Sequence, residues 1–492
     1  MLLHVPDVRS TWVSREILLS SISVMALLLL LPSTPASAQN ATSASISSLE
    51  RFGLMGDVVR SSGKFLYLPT PGTPGGNISI YNSYSATQKG VAVRVGSMGG
   101  RGGDGISGTN TAGGRGGNGG EIYLRQTGAL FGNGNQALGA AMPADLAGLC
   151  AAQNRPEAYN ARNVGDCRKT QISKELESLG EDRWKGRGGV LLLAYSQGGA
   201  GGGGSGSGLF AARGGDGGTV RVVVANQIAS VGENYGGVWA RSLGGYTPPG
   251  GVVLVGGTDL TGYGGGDGGT VSVDIEKNIS VKTDGSSAPG VIAESIGGKA
   301  QDVSRVSISH TSSVGANGGM GGSVFFSNAG SISTTGNNSV GVILQGIGGT
   351  GGSAYRTIGA NDGTGGDGGI GGYVYGSNAG SISTAGSYSF GLVALSSGGK
   401  GAAGGSGIIS GADGGAGGEG EEVKVGNYGT ISTSGEGAAA LVAQSIGGGS
   451  ALDAFQTRLI KPDPGTTGGG AGGNAWFFAG DGGGGGNGGA VM

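Results

Sequence analysis

A stacked β-solenoid is the fold this sequence predicts, on three observations. Glycine accounts for 119 of the 492 residues, about a quarter, where a soluble domain carries about 7%. Isoleucines in matching contexts, Ile228, Ile279, Ile332, Ile382 and Ile431, recur roughly 50 residues apart, a period that signals a repeat architecture. Around each lie three short runs with the period-2 alternation of strands, separated by Gly, Asn and Ser turns. The expected class is all-β: an elongated parallel β-helix of about 50-residue repeats with glycine-rich loops and a small helical, cysteine-bearing insertion.

The stretch 427–449, NYGTISTSGEGAAALVAQSIGGG, shows the unit most clearly. A turn at Asn427 and Gly429 leads into Thr430–Thr433, where a large apolar residue alternates with hydroxyl residues. A second turn leads into the apolar run Ala438–Ile446, closed by glycines. Copies begin at Asn328 and Asn378, with weaker ones at Asn226 and Asn278. A further alternating run precedes each: Val220–Val224, Val271–Ile275, Val324–Phe326, Tyr373–Tyr375 and Val423–Val425. One such unit cannot bury its apolar face alone; successive units stacked in register can. The asparagine four residues before Ile332, Ile382 and Ile431 predicts a ladder at one turn, because Asn tolerates left-handed dihedrals and bonds its own backbone.

Taken in order, residues 1–38 read as a secretory signal peptide. Arg9 and Arg15 are basic, Ile17–Leu31 is apolar, and Ala36-Ser37-Ala38 is a small-residue cleavage site. Cleavage is expected between Ala38 and Gln39. Residues 39–76 read as an N-terminal cap over the first coil, since open solenoid ends need covering. Residues 77–140 hold divergent repeats, with strands expected at Ile78–Tyr81, Tyr84–Thr87, Val91–Val95, Glu121–Leu124 and Ala129–Phe131. In the insertion 141–187 glycine falls, charge rises, and Ala144–Gln153 and Gln171–Trp184 have helical composition. It holds both cysteines, Cys150 and Cys167. Export makes them a disulfide candidate, stapling either a plain side lobe or a displayed recognition lobe. Residues 188–492 carry the glycine-rich repeats proper, with a last strand-like piece at Trp476–Ala479. Glycine-dense stretches such as Gly198–Gly208, Gly348–Gly372 and Gly398–Gly420 bring no side chains to bury. They read as loops on one side of the rod, or as extended polyproline-II-like segments packed by backbone contact.

Composition and motifs argue against several function classes. The net charge of −2 offers no basic field for nucleic acid. The aspartates of the GGDGG pattern, Asp216, Asp267 and Asp367, stand far apart in the chain, whereas a calcium site gathers six to eight oxygens; a structural turn is the better reading. GxGxxG matches carry no information in a chain so rich in glycine, and there is no GxxxxGK[ST] loop and no GxSxG elbow. His310 is the one histidine after the signal segment, a surface residue rather than a catalytic base. No catalytic residue, cofactor or metal is expected, and the chain reads as a non-enzyme.

The run Val425–Thr433 with Leu441–Gly449, and Val291–Gly298 (VIAESIGG), resemble repeats of the passenger domains of large Gram-negative autotransporters, the type V secretion systems. Residues 190–492 carry the resemblance well and 77–140 loosely. It implies a right-handed β-helical passenger exported through a signal peptide, carried across the outer membrane by a C-terminal β-barrel translocator, and often adhesive. The glycine-rich end of this chain has none of the ten-residue alternating strands of such a barrel. The expectation is therefore a secreted or surface-displayed rod acting through repeated weak contacts on a host-cell or matrix ligand, its translocator lying outside this sequence. Copies of such a rod could also associate with one another. Two other readings stand beside it: a polysaccharide-acting β-helical enzyme, favoured by carboxylates gathered on one face, and a matrix or ice-interacting protein, favoured by exposed hydroxyl ladders beside Ile332, Ile382 and Ile431.

Overall fold

The computed structural model describes residues 42–44, 48–53, 71–88, 92–103, 113–133, 189–203, 212–247, 260–261, 264–302, 313–354, 363–406, 410–448, 481 and 483–492. All of them belong to the compact unit 42–492. Among the described residues the protein is all-β, a parallel β-helix built on three sheets.

Sheet A has eight strands in chain order: Thr42–Ala44, Ile78–Asn82, Ile122–Gln126, Val220–Val224, Val271–Ile275, Val324–Asn328, Val374–Asn378 and Val423–Asn427. Sheet B has seven: Ala86–Gln88, Leu130–Asn133, Ile228–Val231, Ser280–Asp284, Ser331–Thr335, Ser381–Ala385 and Thr430–Ser434. Sheet C has eight: Ser48–Phe52, Val93–Met98, Gly189–Gln197, Tyr235–Leu243, Val291–Ile296, Val342–Ile347, Leu392–Ser397 and Leu441–Ile446. From Ile78 onward each coil of chain passes A, B, C and then returns to A one level on, giving seven full coils; the strands Thr42–Ala44 and Ser48–Phe52 add an eighth level to sheets A and C. Every pairing is parallel, so the crossover between paired strands is a whole coil. A separate two-stranded pair joins Leu260–Thr261 to Ser313–Val314. Residues 39–76 supply the first strands of sheets A and C. At the third level sheet B ends at Asn133 and sheet C takes up again at Gly189; the expected insertion 141–187, with its helical stretches, lies outside the described residues.

Register stacks like on like. Val271, Val324, Val374 and Val423 form one inward column of sheet A, and Val291, Val342 and Leu392 one of sheet C. These columns meet in one continuous apolar core running the length of the stack. Size is balanced between levels: Phe326 of one coil stands over Gly376 of the next. Sheets A and B alternate buried with half-exposed residues: Val271, Val273 and Ile275 are buried while Ser272 and Asp274 are half-exposed, and Ile332 and Thr334 are buried between half-exposed neighbours. Sheet C is buried on both faces in its central strands, which is why those segments read as unbroken apolar runs. Its second face is packed with Leu193, Tyr195, Trp239, Leu243, Ile292, Ile343 and Val393.

Candidate interaction surfaces

Four of the five isoleucines singled out in the sequence share one column. Leu130, Ile228, Val281, Ile332, Ile382 and Ile431 pair in succession along sheet B. Val281, not Ile279, holds the position at the fifth level. There the turn between sheets A and B spans five steps, from Ile275 to Ser280, whereas the next coil needs three, from Asn328 to Ser331. Asn278 sits in this longer turn with φ 65°, three residues beyond Ile275, which holds the ladder position. Ile279 stays half-buried against the core.

The asparagine ladder forms inside the stack. Asn328 donates from Nδ2 to Oδ1 of Asn378 at 2.8 Å, and Asn378 to Asn427 at 2.7 Å. Asn328 and Asn378 are buried. Each belongs to a strand and none has a left-handed φ; the Oδ1 of Asn328 accepts the amide of Gly330 and so starts the turn. Asn82 and Gln126 make the same contact near the other end of the stack, while Val224 and Ile275 fill the position between.

Where they are described, the glycine-dense stretches form hydrogen-bonded rows. After sheet C each coil runs out along a row such as 198–203, 297–302 or 398–406, and before sheet A the chain returns along a row such as 212–219, 264–270 or 410–422. Outgoing and returning rows alternate along one chain of hydrogen bonds: Gly245 N to Gly215 O, Gly266 N to Gly245 O, Gly298 N to Gly266 O, and Gly319 N to Gly298 O, all 2.7–2.9 Å. Returning rows also bond one another every third residue: Gly265 to Asn317, Gly268 to Met320, Val271 to Ser323. A repeat of three with extended backbone is the polyproline-II helix. Burial has the same period. Thr364, Asp367, Asp413, Ala416 and Glu419 are exposed while the glycine pairs between them are mostly buried. These glycines are not there for unusual dihedrals: among the described residues none of the positive-φ glycines lies in a row. They are there for close approach. A methyl group on Gly266 would land on the carbonyl oxygen of Gly215, and one on Gly319 on that of Gly266.

Sequence reasoning missed two devices here, and both had a signal. The first is the G-G-X triplet, visible in RGGNGG, RGGDGG and TGGDGGIGG. At its X site the GGDGG aspartates find their role. Oδ1 of Asp216 accepts the amide of Asp267, Oδ1 of Asp267 that of Met320, and Oδ1 of Asp367 that of Ala416. Arg213 joins Asp216 and Asp267 at 3.1 and 2.7 Å. Each aspartate therefore ties one returning row to the next. Among the described residues no group of three or more His, Cys, Asp or Glu is placed to hold a metal ion. The second device is the serine before the closing glycines. Ser295 Oγ donates to Gly269 O at 2.7 Å and accepts from Gly322 N at 2.9 Å. Ser97, Ser196 and Ser242 make the same double contact. Each serine locks the end of a sheet C strand to two returning rows.

Two outward faces carry side chains in columns. On sheet B, Ser331, Ser381 and Thr430 align, as do Ser333, Ser383 and Ser432. On sheet A one column reads Ser79, Tyr123, Arg221, Ser272, Phe325, Tyr375, Lys424. Tyr81 meets Tyr123 edge-on at 5.9 Å, and the Arg221 guanidinium lies 5.9 Å from the Tyr123 ring. Arg221 pairs with Asp274 at 3.3 Å, and Arg125 reaches across an intervening strand to Glu276 at 2.6 Å. Burial raises the Asp274 carboxyl above its usual range, against the pull of Arg221. Burial, then the neighbouring Tyr81, raises the Tyr123 phenol. On the outgoing rows, burial works against ionisation of Asp302, but the Ser353 amide and Lys299 together hold its carboxyl below the usual range. On the second face of sheet C, Arg241 and Glu294 form a buried pair at 2.8 Å, with Trp239 Nε1 donating to the same carboxylate at 2.9 Å. Arg241 lies 4.6 Å from the Trp239 ring centre.

The remaining residues singled out from the sequence, Ala38, Gln39, Cys150, Cys167 and His310, lie outside the described residues, as does Trp476–Ala479. No protein-family model, no curated protein and no solved structure matches the chain.

Proposed function

We propose that this chain is a structural and adhesive rod, exported through its N-terminal segment and displayed at the cell surface in the manner of an autotransporter passenger. The observation that carries the reading is the register. Outward positions of successive coils fall in straight columns one strand spacing apart, about 4.8 Å, as in Ser331–Ser381–Thr430 and Phe325–Tyr375. A contact too weak to hold alone is thereby offered again at the next level, and multivalent engagement multiplies its strength. Export and display rest on the signal-like segment and on the repeat resemblance. The carboxylates that gather on sheet A, Asp274 and Glu276, are each held by an arginine, so the enzyme reading draws no support from them.

The test has two arms. Antibody against the chain should label intact cells of the native host, and external protease should remove the label. Beads coated with the purified chain should attach to cells or matrix. Excising 324–373, one full coil by register, should weaken attachment by more than its share of the rod. Label found only after the cells are opened would overturn display, and attachment no better than with an unrelated protein would overturn adhesion.

A further inference from the structure

We infer that the outward face of sheet A binds a neutral, hydroxyl-rich polysaccharide chain laid along the stack. The inference names the ligand class of the adhesive reading and rests on it for its biological meaning, though the binding itself does not. Three observations point to this occupant.

The first is the column. Tyr123, Arg221, Ser272, Phe325 and Tyr375 occupy the same outward position in five consecutive coils. Tyr123 and Phe325 stand three strand steps apart, about 14 Å at the usual strand spacing. Phe325 is 37% exposed and lies 6.0 Å from the ring of Tyr373. Aromatic rings present flat, weakly polar surfaces, and the C–H faces of pyranose rings stack on such surfaces. The strand spacing is close to the length of one sugar in an extended chain, so successive sugars would meet successive coils.

The second is the chemistry between the two aromatic platforms. Arg221 with Asp274, and Arg125 with Glu276, fix donors and acceptors side by side. Sugar hydroxyls both donate and accept, so they can use both members of such a pair. Two guanidinium groups and two carboxylates also balance, which leaves no field for a polyanion such as nucleic acid or an acidic glycan.

The third is shape. The face is two outward side chains wide on each five-residue strand, as in Val271–Ile275. A stable protein interface covers about 800 Å² per partner around an apolar centre. A narrow strip whose centre is ionic fits a thin linear chain better.

Affinity electrophoresis of the full chain in gels containing hydroxyethylcellulose, laminarin or polygalacturonate tests this. Retardation is expected with a neutral glucan and not with polygalacturonate. Tyr123→Ala and Phe325→Ala should each weaken it by about two- to tenfold, the span that one aromatic contact supplies. Phe325→Trp should retain it, and Met320→Ala, at an exposed position of a returning row outside both columns, should leave it unchanged. Matched circular dichroism and urea midpoints would show that the variants fold. No retardation by either neutral glucan, retardation by polygalacturonate alone, or retardation untouched in the Tyr123→Ala/Phe325→Ala double variant would each overturn the inference. The bead assay separates the two readings. Beads that attach equally well with the double variant sink the polysaccharide face and leave adhesion standing. Glucan binding without attachment sinks adhesion alone.

Discussion

Replacing Gly266 by alanine probes the close packing of the glycine rows. Gly266 donates to Gly245 O at 2.8 Å and accepts from Gly298 N at 2.7 Å. The added methyl would coincide with the carbonyl oxygen of Gly215, so the rows of two coils must separate. Overpacking of this kind costs about 1–3 kcal/mol. Each of the two displaced hydrogen bonds is worth about 1 kcal/mol. Against this, alanine restricts the unfolded chain and returns about 0.4–1 kcal/mol where the native dihedrals suit it, as they do here because φ is not left-handed. The net expectation is a loss of about 2–4 kcal/mol, read as a lower urea midpoint and faster amide exchange in the neighbouring rows. Gly484 is the control. It occupies an X site, and an alanine methyl there would meet nothing within 4 Å; Gly484→Ala should be neutral or slightly stabilising. If Gly266→Ala is as stable as the parent, or if the two variants behave alike, the close-approach account of the glycines is wrong.

Other consequences can be measured the same way. Ser295→Ala removes the lock between the end of a sheet C strand and two returning rows and should cost about 1–3 kcal/mol in urea unfolding. Glu294→Gln leaves Arg241 buried without its charge partner and should cost about 3–5 kcal/mol, while the Arg241→Met/Glu294→Leu double variant recovers most of that loss; equal losses in single and double variants would contradict the ion-pair reading. Burial raises the Tyr235 phenol far above its ordinary value of 10.0. The folded form therefore holds its proton more tightly than the unfolded chain, so the associated stability is whole below pH 10 and falls as pH rises beyond it. Ultraviolet titration should show Tyr235 resisting ionisation until the chain unfolds, a component lost in Tyr235→Phe, and that variant should flatten the alkaline decline.

Much of the architecture was legible because each inward position repeats. Ile332, Ile382 and Ile431 sit in matching contexts, and sequence equivalence there is spatial equivalence. The reading slipped where a turn changed length. Asn278 resembles the ladder asparagines in its neighbours, yet the ladder position is Ile275, three residues earlier, and the isoleucine column is held by Val281, two residues after Ile279. Because Ile279 is two residues from Val281, side-chain direction is preserved and Ile279 still touches the core. The rows were harder to read for another reason. A glycine carries no pattern of its own, so order had to be sought in the residues between, every third one, such as Asp413, Ala416 and Glu419. The outward column on sheet A was not legible at all. Tyr123, Arg221 and Phe325 are far apart and unlike in the sequence, and only the register brings them together.

The central claim is in-register stacking of all the coils, and distances along one column test it most directly. Ser79, Ser272 and Lys424 share the outward column of sheet A, with three strand steps between each successive pair. Spin labels at residues 272 and 424 should lie about 14 Å apart, and labels at 79 and 424 about 29 Å apart, at the usual strand spacing. These pairs are to be made in a background with Cys150 and Cys167 replaced by serine. Narrow distributions in a ratio of one to two would bear out the stack. A broad distribution for the outer pair, or a separation that does not double, would contradict it.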